Sequence, residues 1–388
     1  MAGEASVVAN ACRERFGGAV QPRVFRAPGR VNLIGEHTDY NMGFVLPDAL
    51  DLACFTACAP GSDGRLRVCS LNVQEEREWA IDEIASREPA KDWGDYPCGV
   101  AKELMLAGFP IEPASLVIWS TVPVGSGLSS SAAIEVSVAL ALLGGRTMDP
   151  LELAKLCRRA ENNFVGMPCG IMDQYISVFG RENAAVKIDC RSLENEIVPL
   201  PGEVTFLAVN SMVKHELGSS AYRQRVAECK TAVEAIRERR PEVQSLRDVS
   251  SAELASYEGA IPVVPMRRAV HVTTENERVE AFIDASRRGD VRGMGEALVG
   301  SHHSLQKDYE VSCEELDFLV DTAIEIPGVR GARMTGGGFG GCTVNMLRPH
   351  VLTQFQAVIA KRYQARFGIT PQFIPCRPSA GAGEVSAG

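Results

Sequence analysis

Four short stretches of this chain gather residues whose types and spacing can do chemistry. The first is Val122-Pro123-Val124-Gly125-Ser126-Gly127-Leu128-Ser129-Ser130-Ser131-Ala132, which lies between an apolar strand-like run (115–119) and an alanine-rich helical run (132–143). A turn that opens a helix presents unpaired N–H groups and hydroxyls at the positive end of the helix dipole, a setting for an anion. No Gly-Lys-Ser/Thr ending follows, so this is not a P-loop, and Gly125-x-Gly127-x-x-Ser130 lacks the third glycine of the dinucleotide fingerprint. The plain alternative is a polar turn with a serine helix cap.

The second stretch places Arg30, Asn32, Glu36, His37 and Asp39 within ten residues, punctuated by Gly29 and Gly35. Donors and acceptors so mixed suit a hydroxyl-rich ligand, and a single histidine gives no metal spacing; a solvated loop with an internal salt bridge is the alternative. The third, Thr335 to Thr343, has five glycines in six positions: Gly336, Gly337, Gly338, Gly340 and Gly341. That freedom costs stability in a merely structural loop, so it points to a ligand or a tight lobe contact. The fourth, Gly166-Met167-Pro168-Cys169-Gly170-Ile171-Met172-Asp173-Gln174, sets an acid in an apolar segment, with Arg30 as its natural counter-ion.

These stretches need elements to hold them. Asp149-Pro150-Leu151-Glu152 is a helix start, with Asp as N-cap and Pro at the first position, and the helix is expected to run to about residue 164. Its apolar stripe is Leu153, Leu156, Ala160 and Phe164; Glu161 falls at the edge, where spacing alone favours an outward carboxylate. Strands are expected at 24–25, 44–46, 51–58, 65–71, 204–209 and 343–347, and helices at 220–238, 277–287, 313–324 and 353–367. Strands and helices do not alternate strictly, so the fold class is α+β.

At 388 residues the chain exceeds one ordinary core, and two lobes are expected, 1–202 and 203–376. An Ala/Gly/Ser-rich tail (377–388) is expected to fray. The composition, 45% hydrophobic and 23% charged, is that of a globular protein. A net charge of −9 argues against nucleic acid and anionic membranes, so phosphate binding must come from local geometry. Residues 1–16 have no signal-peptide core, and 132–143 is too short for a membrane span and contains Glu135. Twelve cysteines without a Cys-x-x-Cys pair read as reduced thiols, which places the chain in the cytoplasm.

Together the four stretches resemble the galactokinases of the GHMP kinase superfamily, nearly end to end. Residues 29–40 are similar to the galactokinase signature, 123–132 to the superfamily ATP loop and 335–343 to its third motif. Residues 166–174, 189–194, 301–305 and 308–313 also look like galactokinase segments. The resemblance implies a two-lobed α+β fold with the active site in the interlobe cleft. It implies transfer of the γ-phosphate of ATP to the 1-hydroxyl of D-galactose, the first step of galactose catabolism, with Mg²⁺ required. No nucleic acid, membrane or obligatory protein partner is expected.

By the same resemblance, galactose is held by Arg30, Glu36, His37, Asp39, Gly170, Asp173 and Tyr222. Asp173 is the base or orienting carboxylate and Arg30 its cationic partner. Pro123, Gly125, Ser126, Gly127, Leu128, Ser129, Ser130 and Ser131 hold ATP, with Trp93 near the adenine and Mg²⁺ at Ser131 and Glu161. The family reading thus turns Glu161 inward, against its spacing. Asp48, near the sugar signature, and Asp95, beside Trp93, depart from the family pattern. The competing readings are an N-acetylgalactosamine kinase and a non-catalytic galactose sensor; the intact Ser129-Ser130-Ser131 and Asp173 favour the enzyme.

Overall fold

The computed structural model describes residues 2–17, 21–214 and 218–387. In chain order its strands are β1 (Arg23–Asn32), β2 (Phe44–Val45), β3 (Pro47–Pro60), β4 (Arg65–Ser70), β5 (Glu75–Ala80) and β6 (Ala114–Ser120). They continue as β7 (Ala184–Asp189), β8 (Asn195–Pro199), β9 (Thr205–Lys214), β10 (Val329–Thr335), β11 (Gly340–Leu347), β12 (Gln372–Cys376) and β13 (Gly383–Val385). They form a six-stranded sheet (β13-β1-β3-β6-β4-β5), a four-stranded sheet (β10-β11-β9-β12) and a three-stranded sheet (β2-β7-β8). Among the described strands only the β4–β6 pairing is parallel, which agrees with the α+β expectation.

The period-2 alternation of side chains explains how the large sheet is covered on both faces. Val24, Phe55 and Val117 turn toward the helix Ala2–Phe16, where they meet Ala5, Val8 and Cys12. Their neighbours Phe25, Cys54, Leu116 and Ile118 turn the other way, into the main core with Val136 and Ala139 of the helix Ser130–Leu143. That core runs on without a break to Phe206, Phe282, Met294 and Val344. A shared apolar interior therefore fixes the β9–β12 sheet and its helices against the first sheet.

Three expectations are corrected. The helix opening at Pro150 is capped by Asp149, which accepts from the N–H groups of Leu151 and Glu152, but its α-geometry stops at Arg159 and Ala160–Val165 is a π-turn. The expected helix 277–287 is only the end of a 25-residue helix, Val263–Arg287. The tail is not frayed where it is described: β13 pairs with β1, and Arg26 donates to the Ala380 carbonyl at 2.9 Å and the Ser379 hydroxyl at 3.0 Å. A Cβ on Gly381 would lie 2.1 Å from the Val178 carbonyl oxygen, so small residues here serve close approach. Gly388 lies outside the described residues.

Asp48 sits on β3 opposite Val31, fully buried, with no hydrogen-bond partner on either carboxylate oxygen. It does not line the pocket formed around Arg30, Glu36 and Asp39. Burial, and then the charge of Asp51, push its carboxyl well above the usual range. Its folded pKa thus exceeds its unfolded one, so the folded state binds the proton more tightly. Stability then falls as pH rises above the unfolded value of about 3.9. Asp48→Ala is expected to stabilise the protein by about 1–3 kcal/mol, the cost of an unpartnered buried polar group, and by more at pH 8 than at pH 5. Urea unfolding at the two pH values checks this; a variant less stable at both would refute it.

All twelve cysteines are unpaired. Among the described residues no helix is long and apolar enough to cross a membrane.

Candidate active site

β1 supplies the arginine at the centre of the site. Arg30, near the end of β1, makes a two-point contact with Asp173: Nε donates to Oδ1 at 2.9 Å and Nη2 to Oδ2 at 3.0 Å. Its third nitrogen, Nη1, donates to the Gly127 carbonyl, and its own backbone N–H donates to the Leu128 carbonyl at 3.0 Å. A Cβ on Gly29 would lie 2.6 Å from that same Leu128 oxygen, which is why a glycine precedes Arg30. The first and second sequence motifs are therefore bonded to each other through the backbone.

The serine at the helix entrance is not a cap. Ser129 is the N-cap residue of Ser130–Leu143, in a left-handed conformation (φ 62°), yet its side chain caps no helical N–H. Its hydroxyl donates to Asp173 Oδ2 instead. The first N–H groups of a 14-residue helix are left without a capping side chain, beside a carboxylate held by an arginine and a hydroxyl.

The glycine-rich third motif supports this loop from the other side. A Cβ on Gly336 would lie 2.9 Å from the Gly127 oxygen, and one on Gly341 would lie 3.0 Å from the Ser126 oxygen. Gly338 (φ +84°) crosses the Val311 carbonyl at a distance no side chain permits, and Gly340 and Gly341 begin β11. The tight lobe contact expected of the glycines is present.

Gly336 also completes the wall around Glu36. Its N–H donates to Glu36 Oε1 at 2.6 Å, Thr335 Oγ1 donates to the same oxygen at 3.1 Å, and Arg333 Nη2 pairs with it at 3.2 Å. The long helix Val263–Arg287 props the same loop. Glu275 accepts the Gly35 N–H at 2.9 Å, His271 Nε2 meets the Glu36 carbonyl at 3.1 Å, and Asn276 accepts the Phe44 N–H at 2.8 Å. Burial alone would raise Glu275, but Arg278, His271 and Arg333 bring it down to about 2.

His37 is a non-glycine residue at φ 62°, its ring packed among Tyr40, Tyr222 and Tyr309. Its Nδ1 lies 2.9 Å from the Tyr40 hydroxyl, and Nε2 has no protein partner. Burial, with nearby His271 and Arg225, lowers it to about 3, so the ring is neutral near pH 7. Asp39 lies against Gly170, where a Cβ would fall 1.8 Å from its carboxylate oxygen. Burial and the charge of Asp173 raise Asp39 to about 6.

These side chains enclose a pocket of about 200 Å³ lined by Arg30, Glu36, His37, Asp39, Gly170, Asp173, Tyr222, Glu161, Gly336 and Gly337, together with residues 167–169 and 172. Its size suits a small ligand, not a nucleotide. Glu161 lines it and is buried, which overturns the outward orientation that spacing favours. Glu161 follows the buried Ala154 and Cys157 by seven and four residues, so it continues their helical face where the π-turn begins. Burial and the charge of Asp173 raise Glu161 to about 6, and the Ser131 hydroxyl opposes them.

Trp93 is not part of this wall. Its indole N–H donates to Glu75 at 3.0 Å, with Arg77 stacked 5.4 Å over the ring. Asp95 accepts the N–H groups of Ala90 and Lys91, at 2.8 and 2.7 Å, and so anchors the loop that holds Trp93. Sequence reasoning missed Arg333, His271, Glu275 and Tyr309, all remote in the chain from the signature loop. For Arg333 a signal existed: an arginine in an apolar strand just before a glycine loop.

The chain is similar to known proteins over nearly its whole length. The model of the GHMP kinases N terminal domain matches residues 95–181 and that of the GHMP kinases C terminal matches residues 282–363. The fold is shared with the mevalonate kinase of Methanococcus jannaschii at 17% identity and a TM-score of 0.66, over 93% of this chain and all of that one. Fold and site together define a GHMP kinase.

Within that class, the galactokinase galactose-binding signature matches residues 11–60. The galactokinase of Chloroflexus aggregans is 46% identical and that of Chloroflexus aurantiacus 44%, each over 96% of both chains. The crystal structure of Lactococcus lactis galactokinase complexed with galactose superposes with a TM-score of 0.93 at 32% identity, over 97% of this chain and 98% of that one. The chain belongs to the galactokinase family.

Proposed function

We propose that the pocket holds galactose and that the chain transfers the γ-phosphoryl group of ATP to its anomeric hydroxyl, giving galactose 1-phosphate and ADP. The observation that carries this is the Asp173 carboxylate. It is gripped on both oxygens by Arg30 and on one by Ser129, and it faces the pocket beside the uncapped helix end. Phosphoryl transfer needs positioning and charge neutralisation more than covalent help, and this arrangement offers both.

In this reading Asp173 orients the sugar hydroxyl and takes its proton, while Arg30 fixes the carboxylate and offsets negative charge at the reacting centre. Glu36, His37, Asp39, Tyr222 and the Gly170 backbone meet the remaining hydroxyls; the free Nε2 of His37 is a ready partner for one. The N–H groups of residues 125–131, with the hydroxyls of Ser130 and Ser131, hold the ATP phosphates, and Trp93 serves the adenine end.

The residues also fit magnesium: Ser131 in the first helical turn and the buried Glu161 supply two oxygen ligands, and Mg²⁺ usually takes its remaining ligands from phosphates and water. When bound, the ion neutralises charge on the phosphates.

ADP release from Mg-ATP, with galactose, N-acetylgalactosamine, glucose, mevalonate and homoserine offered separately, tests the reading. Turnover with galactose that stops without Mg²⁺ is expected. Turnover with N-acetylgalactosamine alone would move the substrate, and galactose binding without ADP release would leave a sensor.

A further inference from the structure

Behind Glu161 lies a polar cluster that the roles above leave unused. Glu135 stands in the second turn of the helix Ser130–Leu143, and Gln174 follows Asp173 on the helix Met172–Phe179; both are 0% exposed. Gln174 Nε2 donates to Glu161 Oε2 at 2.6 Å and to Glu135 Oε2 at 3.0 Å. Cys169 Sγ also donates to Glu161 Oε2, at 3.4 Å. Two donors thus converge on one oxygen of Glu161. The amide orientation follows from chemistry, because the reversed side chain would press a carbonyl against the Glu161 carboxylate.

Glu135 is an expensive residue to place here. Among the described residues it has no ion pair, and its Oε1 has no hydrogen-bond partner. An apolar side chain of similar volume would remove that cost. Its visible bond is to Gln174, so its use is to hold that amide. Gln174 in turn shares one helical turn with Asp173, so a single element sets both the carboxylate facing the sugar and the clamp on Glu161.

We propose that Gln174, braced by Glu135, is a positioning residue for the Ser131–Glu161 pair. It fixes Glu161 Oε2 so that the other carboxylate oxygen is presented toward Ser131 and the metal-bound phosphates. The proposal rests on the reading of Ser131 and Glu161 as magnesium ligands, and the test separates the two.

Mn²⁺ binding to the enzyme–ADP complex, followed by electron paramagnetic resonance, is measured for wild type, Glu161→Gln, Gln174→Met and Glu135→Gln, with galactose affinity measured alongside. Loss of an outer ligand-orienting group typically weakens metal affinity about tenfold to a hundredfold. Gln174→Met is expected to show that loss with galactose affinity retained. Glu135→Gln, which keeps an acceptor for the Gln174 amide, is expected to stay near wild type. If Glu161→Gln weakens Mn²⁺ binding and Gln174→Met does not, the positioning role is wrong and the metal reading stands. If Glu161→Gln leaves Mn²⁺ binding unchanged, the metal reading falls and the proposal with it. A Gln174→Met protein that loses galactose affinity and thermal stability but binds Mn²⁺ normally would mark the cluster as structural.

Discussion

Asp173→Asn is expected to lower kcat by a factor of about 10²–10⁴ while changing the KM for galactose little, the range associated with a positioned proton acceptor. Asparagine fills the same space and keeps one oxygen for Arg30 and Ser129, so the pocket's shape is retained. What it loses is the second carboxylate oxygen and the charge. Arg30 is a demanding partner: its side chain is 6% exposed and Asp173 is its only ion-pair partner among the described residues. Some loss of stability must therefore accompany the change, and thermal melting of the variant should be run beside the kinetics. The kinetic split decides the role, because a carboxylate that only bound sugar would raise KM and leave kcat in place. A variant with near-wild-type kcat would sink the assignment.

The residues of this site were legible in the sequence to very different degrees. The turn before the helix Ser130–Leu143 showed itself because it stands between a strand and a helix, and local signals of that kind depend on nearby residues alone. The pairing of Arg30 with Asp173 was also foreseeable, since an acid in an apolar segment needs a cation. Glu161 was not legible from spacing. The expected stripe puts it at the edge of the buried face, where a charged residue reads as turned outward, and what holds its carboxylate inside is Gln174, thirteen residues further on and on another helix. The role of Ser129 was hidden for a related reason: a serine before a helix reads as a cap, and its diversion to Asp173 depends on a residue 44 positions away.

The tail misled because glycine, alanine and serine have two uses. They favour disorder when nothing contacts them, and they permit close packing when a backbone passes near, as Gly381 does over Val178. The props of the sugar loop, His271, Glu275 and Arg333, come from helices and strands more than 230 residues further along. Long-range polar contacts of this kind leave no periodic mark in a single sequence.

Arg333→Met is expected to cost about 3–5 kcal/mol of stability, the range for removing one partner of a buried charge pair. Arg333 lies on β10 with its side chain 0% exposed. Nη1 donates to the backbone carbonyls of Asn32 and Leu33, each at 3.0 Å, and Nη2 pairs with Glu36 Oε1 at 3.2 Å. Methionine fills much of the volume and satisfies none of these three acceptors. Glu36, itself buried, would retain Thr335 and the Gly336 N–H but no ion-pair partner among the described residues, Arg30 acting on it only from further off. Urea unfolding should show the loss, and any folded variant should have a raised KM for galactose, because the carbonyls released belong to the loop that carries Glu36 and His37. Arg333→Lys separates charge from geometry. A lysine restores the positive charge, but a single ammonium cannot reproduce a planar fork that spans two carbonyls and a carboxylate. It should recover part of the stability and little of the sugar affinity. If Arg333→Met unfolded at the wild-type urea concentration with KM unaltered, the bonds from Arg333 would not be what holds the signature loop in place.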